Sequence, residues 1–184
     1  MKLEPVDENH DPILELLFNP ALAFSGKISA RIELAPFAYH AVFAELSLLS
    51  FDVNDEHVTG KSVDVGYHLF PFGHYARGFY IGPRYTVGWG NSETTVLSTS
   101  IGDVSYRVKG TMKGFGADLG VVFVLGPICV NLGGGVGTAT VVSEPDPAVP
   151  LPSNLPPSVQ KQIPKRVEQA VILPVVTAGI GLAF

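Results

Sequence analysis

The chain contains a single cysteine, Cys129, in 184 residues, so no internal disulfide can form. It is poor in charge, with Asp, Glu, Lys and Arg together at 16%. The net charge of -5 leaves no basic excess to neutralise phosphates, which excludes a general nucleic-acid binder. No apolar run approaches the roughly 20 residues of a transmembrane helix, so any membrane crossing must be made of strands. The opening Met1-Lys2-Leu3-Glu4-Pro5 has no apolar export core and meets acidic residues at once; an exported form is expected to have lost its signal peptide. What the chain has in quantity is 20 glycines and 15 prolines, a turn-rich composition that favours strands over helices. The length suits one domain.

Apolar and polar residues alternate in runs separated by turn signals. Over 78–90, Phe79, Ile81, Tyr85, Val87 and Trp89 share one face, while Tyr80, Arg84 and several glycines share the other. Residues 113–125 repeat this, with Phe115, Leu119 and Phe123 set against Gly114, Gly116, Asp118 and Gly120. The same period runs through 41–52, 62–70, 128–140 and 172–184. Apolar residues fall on odd numbers up to Leu125 and on even numbers from Ile128, the switch that a two-residue turn at Gly126-Pro127 produces. Over 14–34 the even positions are almost all apolar, and the stretch is long enough for two crossings. A three-residue turn near Asn19-Pro20-Ala21 or Ser25-Gly26-Lys27 preserves that parity. Seven strands are thereby firm, and folding the first stretch back gives eight, the even number of bacterial single-chain barrels.

The chemistry of the two faces indicates which side is wet. A soluble barrel puts bulky apolar residues inside and charges outside. Here the polar face is rich in glycine, which makes a poor solvent-facing surface but suits the crowded inside of a narrow barrel, where Tyr80 and Arg84 need bare backbone opposite them. Pairing Ala35 with Ala41 sets Arg31 opposite Glu45, and pairing Phe70 with Gly78 sets Arg84 opposite Asp64. With Glu33 and Asp118 on the same face, these residues predict a lumen charge network, since ions in a dry interior persist only when paired. The expected fold is therefore all-β, an antiparallel up-and-down transmembrane β-barrel of eight strands.

Turn lengths sort the two ends, because membrane barrels keep short turns on one side and long loops on the other. Connections 36–40, 71–77 and 126–127 read as short; those at 52–59, 91–103 and 142–169 read as mostly longer and polar. Around 91–103 the alternation continues through Val96 and Val104-Tyr106-Val108, which suggests a protruding hairpin. Phe37, Tyr39, Phe72 and Tyr75 gather by the short turns and Trp89 stands about one span away, as two aromatic belts. Residues 1–11 are expected to be a flexible N-terminus and 12–184 one barrel domain. It carries a Pro-rich external loop over 143–169, with a short helical turn within 158–166 and a bulge at Pro174.

The run Ser-Val-Asp-Val-Gly-Tyr-His-Leu-Phe-Pro-Phe-Gly-His-Tyr-Ala-Arg-Gly-Phe-Tyr-Ile-Gly-Pro-Arg-Tyr-Thr-Val-Gly-Trp-Gly, from Ser62 to Gly90, resembles the central hairpin of small bacterial outer-membrane barrels of unassigned function, of the eight-stranded OmpX and OmpA-barrel kind. The last residues resemble the C-terminal signal by which such barrels are recognised for insertion, with Thr177, Gly179, Leu182 and Phe184 filling the pattern. The resemblance implies fold and outer-membrane location more than activity, and the tail implies the barrel-assembly machinery as a partner.

No catalytic constellation is evident. Some small outer-membrane barrels modify lipid A with a histidine and serine beside a carboxylate; His10, His40, His57, His68 and His74 show no such spacing. The oxygens of 52–57 lack the glycine and distal Glu of a calcium loop. No cofactor, metal or enzymatic activity is expected. Arg107, Lys109 and Lys113 stand above the apolar band, where lipopolysaccharide phosphates lie, and are expected to contact them. The reading is a monomeric outer-membrane barrel with a plugged polar lumen, embedded in outer-membrane lipid, with a structural or interaction role for its external loops. The alternatives are a narrow pore for small solutes and, behind it, a lipid A-modifying enzyme or a soluble ligand-binding barrel.

Overall fold

The alternating runs form eight strands: β1 (Ile13–Asn19), β2 (Lys27–Phe37), β3 (His40–Val53), β4 (Glu56–Leu69), β5 (Gly78–Ser98), β6 (Gly102–Leu125), β7 (Ile128–Pro145) and β8 (Val167–Ala183), with one short helix, α1 (Pro157–Gln160). The computed structural model describes residues 13–19, 26–53, 56–72, 77–98, 102–147, 155–161, 163 and 165–184; the expected flexible N-terminus, 1–11, lies outside them. Each strand pairs antiparallel with the next, and β8 pairs with β1, so the sheet closes into an up-and-down barrel. At Gly126-Pro127 the two-residue turn joins Leu125↔Ile128. Gly126 has φ 63° there, which a side chain would strain.

The seam is short, running from Glu15↔Ala183 to Phe18↔Ile180. Phe184 lengthens it by exchanging backbone hydrogen bonds with Leu14, at 2.9 and 3.2 Å. A Cβ on Gly181 would fall on the Leu16 carbonyl, so the bare backbone lets β8 approach β1 closely enough to close the ring.

Several expectations are corrected. The first connection spans 20–26 rather than three residues, although parity survives because Asn19 still pairs with Ser29. Residues 52–59 are no long loop: the β3–β4 ladder continues to Val53↔Glu56. By contrast, 91–103 is the protruding hairpin that its continued alternation suggests, with β5 and β6 pairing up to Ser98↔Gly102. The Pro-rich connection shrinks from 143–169 to 146–166, because β7 and β8 keep pairing to Ser143↔Val167. Pro174 makes no bulge. It pairs in uninterrupted register with Val136, and among the described residues β8 has no β1 partner above Ile180, so the missing donor falls on an unpaired edge.

The β4–β5 register is displaced by two residues from expectation. Leu69 faces Ile81, so Gly66 and not Asp64 stands opposite Arg84. The cause is Phe70, which is fully buried while its backbone N–H donates to the Tyr39 carbonyl at 2.9 Å; it belongs to the core beside β3 rather than to a hairpin rung with Gly78. Between Gly66 and Leu69 the ladder lapses beside Pro83, which has no N–H to donate.

Candidate functional site

Because side chains alternate across a strand, the inward faces of β2 to β6 converge on one axis. Arg31 stands opposite Glu45 and donates to its Oε2 from Nη2 at 2.6 Å and from Nε at 2.9 Å; its Nη1 lies 3.9 Å from Glu33 Oε2. Arg84 reaches from the far wall. Its Nη2 is 2.8 Å from Asp118 Oδ2 and 3.4 Å from Glu45 Oε2, and its Nη1 is 3.8 Å from Asp64 Oδ1. Asp64 also accepts a hydrogen bond from Thr86. The structure thus brings together Arg31, Glu33, Glu45, Asp64, Arg84 and Asp118, all buried, with Glu45 bridging both guanidiniums. Charges so enclosed persist because each meets an opposite charge at short range.

Aromatic rings, which parity alone did not single out, hold this network. The Phe43 ring lies 4.4 Å from the Arg31 guanidinium carbon and 5.3 Å from that of Arg84, within cation–π range of both. His68 donates from Nδ1 to Glu33 Oε1 at 2.9 Å, stacks on Tyr80 at 4.0 Å and lies 4.6 Å from Phe43. Tyr80 donates to Asn131 Oδ1 at 3.0 Å. Toward the short turns the lumen is floored by Ala35, Ala41, Phe70, Tyr80 and Val122. Above the Arg31–Glu45 pair, the space lined by Leu17, Asn19, Ser29, Asn131 and Thr177 amounts to about 10 Å³, near the minimum that one water requires.

Glycine makes the room for these side chains. A Cβ on Gly120 or Gly133 would fall on the Tyr80 hydroxyl, and one on Gly66 would fall on the Phe43 ring. Glu15 and Asn19 are also inward and buried, with no hydrogen-bond partner for their side chains among the described residues. Their odd positions on β1 were the available signal.

The outward face is the inverse. Leu46, Leu48, Ile81, Phe115, Leu119, Phe123 and Leu132 are all exposed, Phe115 to 71%. Exposed Phe37, Tyr39 and Phe72 mark the short-turn end and Trp89 the other, while Tyr75 lies outside the described residues. In the tail, Thr177 and Gly179 point inward, whereas Leu182 and Phe184 point outward, Phe184 to 67%.

Above the Trp89 level the polarity reverses. Tyr106 packs with Leu155, Val159 and Ile163 in a small apolar core, with Val108 beside it. Tyr106 and Val108 share the even-numbered, inward face of β6 with Asp118, so the α1 segment folds in over the barrel mouth. Of the three expected lipopolysaccharide contacts, Lys113 and Arg107 are exposed, but Lys109 Nζ is held 2.7 Å from Asp146 Oδ1. Among histidines outside the network, His40 pairs with the Tyr67 hydroxyl and His57 with Asp52 at 2.7 Å. Among the described residues no cluster of three His, Cys, Asp or Glu side chains is placed to hold a metal.

A closed ring of eight antiparallel strands with charge buried inside and a continuous apolar exterior defines a class, the transmembrane β-barrel. No family model matches the chain, and no curated protein does. Among solved structures it is similar to a major outer membrane protein from Thermus thermophilus, with 13% identity over 95% of this chain and 100% of that one, at a TM-score of 0.49.

Proposed function

We propose that the protein is an integral barrel of the bacterial outer membrane whose lumen is packed shut and whose loop-bearing end serves a structural or interaction role. The observation that carries this reading is the burial of Arg31, Glu45, Asp64, Arg84 and Asp118 within a wall that is apolar outside. The apolar floor around Phe70 and Tyr80 and the roughly one-water space above Arg31 support a plug rather than a channel. The barrel acts as a monomer without catalysis. The exposed Phe184 and Leu182 beside inward Thr177 and Gly179 serve as the insertion signal, read by the barrel-assembly machinery. Arg107 and Lys113, with Lys109 partly committed to Asp146, face lipopolysaccharide phosphates.

The purified chain should require detergent and give no steady conductance in planar bilayers. Steady ion conductance that increases for Arg84→Ala would overturn the packed lumen, and a chain that stays monodisperse without detergent would overturn the membrane assignment. Phe184→Asp should reduce membrane-inserted protein in cells more than any substitution in 146–166, read as the folded fraction in outer-membrane extracts. Normal insertion of that variant would remove the tail from the proposal.

A further inference from the structure

Three glycines stand in one lateral row across the wall, Gly60↔Gly90 and Gly90↔Gly110. They line an outward groove with Leu48, Lys61, Trp89, Asn91, Lys109 and Thr111, of about 640 Å³, within the size range of small-molecule sites. Register explains its composition. Leu48, Lys61, Trp89 and Thr111 are consecutive lateral neighbours on β3, β4, β5 and β6, and Asn91 pairs with Lys109 one step above. Between β4 and β5 the backbones come close, since a Cβ on Gly90 would lie 2.9 Å from the Thr59 carbonyl, whereas one on Gly110 would meet the Gly90 carbonyl at an ordinary 3.8 Å. The glycines lie on the inward parity of their strands, so between the outward side chains above and below them the groove is floored by backbone and walled by apolar, polar and cationic side chains.

Its height fixes what it meets. From Phe79 to Trp89, strand β5 rises roughly 25 Å along the barrel axis at the usual rise and tilt, the height of the apolar band. On the proposed membrane reading, on which this inference rests, the groove therefore opens where acyl chains give way to headgroups. Lys61 makes no ion pair among the described residues, whereas Asp146 takes part of the Lys109 charge and fixes its ammonium in place. A lysine free of carboxylates, a second one oriented by its partner, an indole and two polar side chains together match a phosphate carried on a hydroxyl-rich head with an apolar tail.

We propose that this groove binds the phosphorylated sugar headgroup of an outer-leaflet glycolipid of the lipid A kind. The phosphate sits on Lys61 with Lys109 beside it, the sugar hydroxyls meet Asn91 and Thr111, and an acyl chain runs down over Leu48 and Trp89.

Trp89 is the only tryptophan of the chain, so its fluorescence reports this groove alone. The full chain reconstituted in bilayers of acyl-brominated phosphatidylcholine should have Trp89 quenched. Unbrominated phosphorylated lipid A should then relieve the quenching at about fivefold lower mole fraction than its dephosphorylated form, the factor expected for one lysine near a headgroup phosphate. Lys61→Gln should abolish the difference and Lys61→Arg should keep it. Equal relief by both forms would overturn the groove while leaving the barrel in its membrane, and phosphatidic acid matching lipid A would overturn the glycolipid assignment. Absence of quenching by the brominated lipid would place Trp89 away from the acyl chains and overturn the groove, while the membrane reading falls only if the chain also stays monodisperse without detergent.

Discussion

Strand β6 passes through two regions built on opposite rules. Below Gly110 its even face carries Asp118 into the charge network and its odd face carries Phe115, Leu119 and Phe123 outward. Above Gly110 the even face packs Tyr106 and Val108 against Leu155, Val159 and Ile163, while the odd face carries Arg107 and Lys109. The alternation never slips, because the pairing with β5 is continuous from Ser98↔Gly102 to Gly78↔Val122. What changes is the solvent. The lower region hides charge from an apolar surround, and the upper region hides apolar surface from water as an ordinary soluble protein does. The reversal falls at the Trp89 level, and Lys113, one row below, has a stem long enough to carry its ammonium to that boundary.

The sharpest way to break this contrast is to remove the charge at the centre of the lower region. Arg84→Ala leaves Asp118, Asp64 and one side of Glu45 buried without their cation, and loss of one partner from a buried ion set costs about 3–5 kcal/mol. Urea unfolding of the micelle-refolded barrel should show this loss, with the α1 segment unaffected in its protease resistance. A change below about 1 kcal/mol, the range of exposed pairs, would mean that water reaches the network and that the lumen is not dry.

A second variant tests whether glycine is needed in the lumen for room rather than for backbone freedom. Gly133→Ala places a methyl group on the Tyr80 hydroxyl, and overpacking of this kind costs about 1–3 kcal/mol. In a double-mutant cycle, Tyr80→Phe should relieve part of that cost, since the two changes meet at one atom. Strict additivity of the two effects would show that the hydroxyl and the glycine are not in contact.

The period of two makes the inner and outer faces readable from the residues alone, because a strand's face is set by parity when its register shifts by an even number. That is why Arg84 reaches the network although the β4–β5 ladder is displaced by two residues: parity was right and the rung was wrong. The Arg31–Glu45 opposition follows from the short connection 36–40 with Ala35 set opposite Ala41. In the structure the turn itself is tighter, Phe37 facing His40, and an irregularity between Leu34 and Phe37 restores that register. Phe43 shares the odd, inward parity of Glu45, but its place between the guanidiniums depends on distances across the lumen, which no ladder encodes. The polar stretch at 52–59 reads as a loop because a strand that leaves the membrane acquires a loop's composition while keeping a strand's hydrogen bonds, whereas the hairpin at 91–103 is legible because Val96, Val104, Tyr106 and Val108 keep the alternation. The α1 core was illegible for a related reason, since prolines dominate the segment and its apolar residues, Leu155, Val159 and Ile163, gain meaning only against Tyr106.

The upper region offers the smallest expected effect on the barrel and the finest test of the contrast. Val159 is buried against Tyr106 and its neighbours, in a core with too few members to tolerate a charge. Val159→Asp should detach the segment and expose the bonds after Lys161 and Lys165 to trypsin. The unfolding free energy of the lower barrel should change by no more than about 0.5 kcal/mol, the additive limit for sites that share no partners. Among the described residues the segment is also anchored where Asp146 meets Lys109 and its backbone N–H donates to the Arg107 carbonyl at 2.9 Å, so cleavage should begin C-terminal to that anchor. If Val159→Asp instead lowered barrel stability as far as Arg84→Ala, the two regions would be one cooperative unit, and the change of rule along β6 would be a change of surface only, without energetic independence.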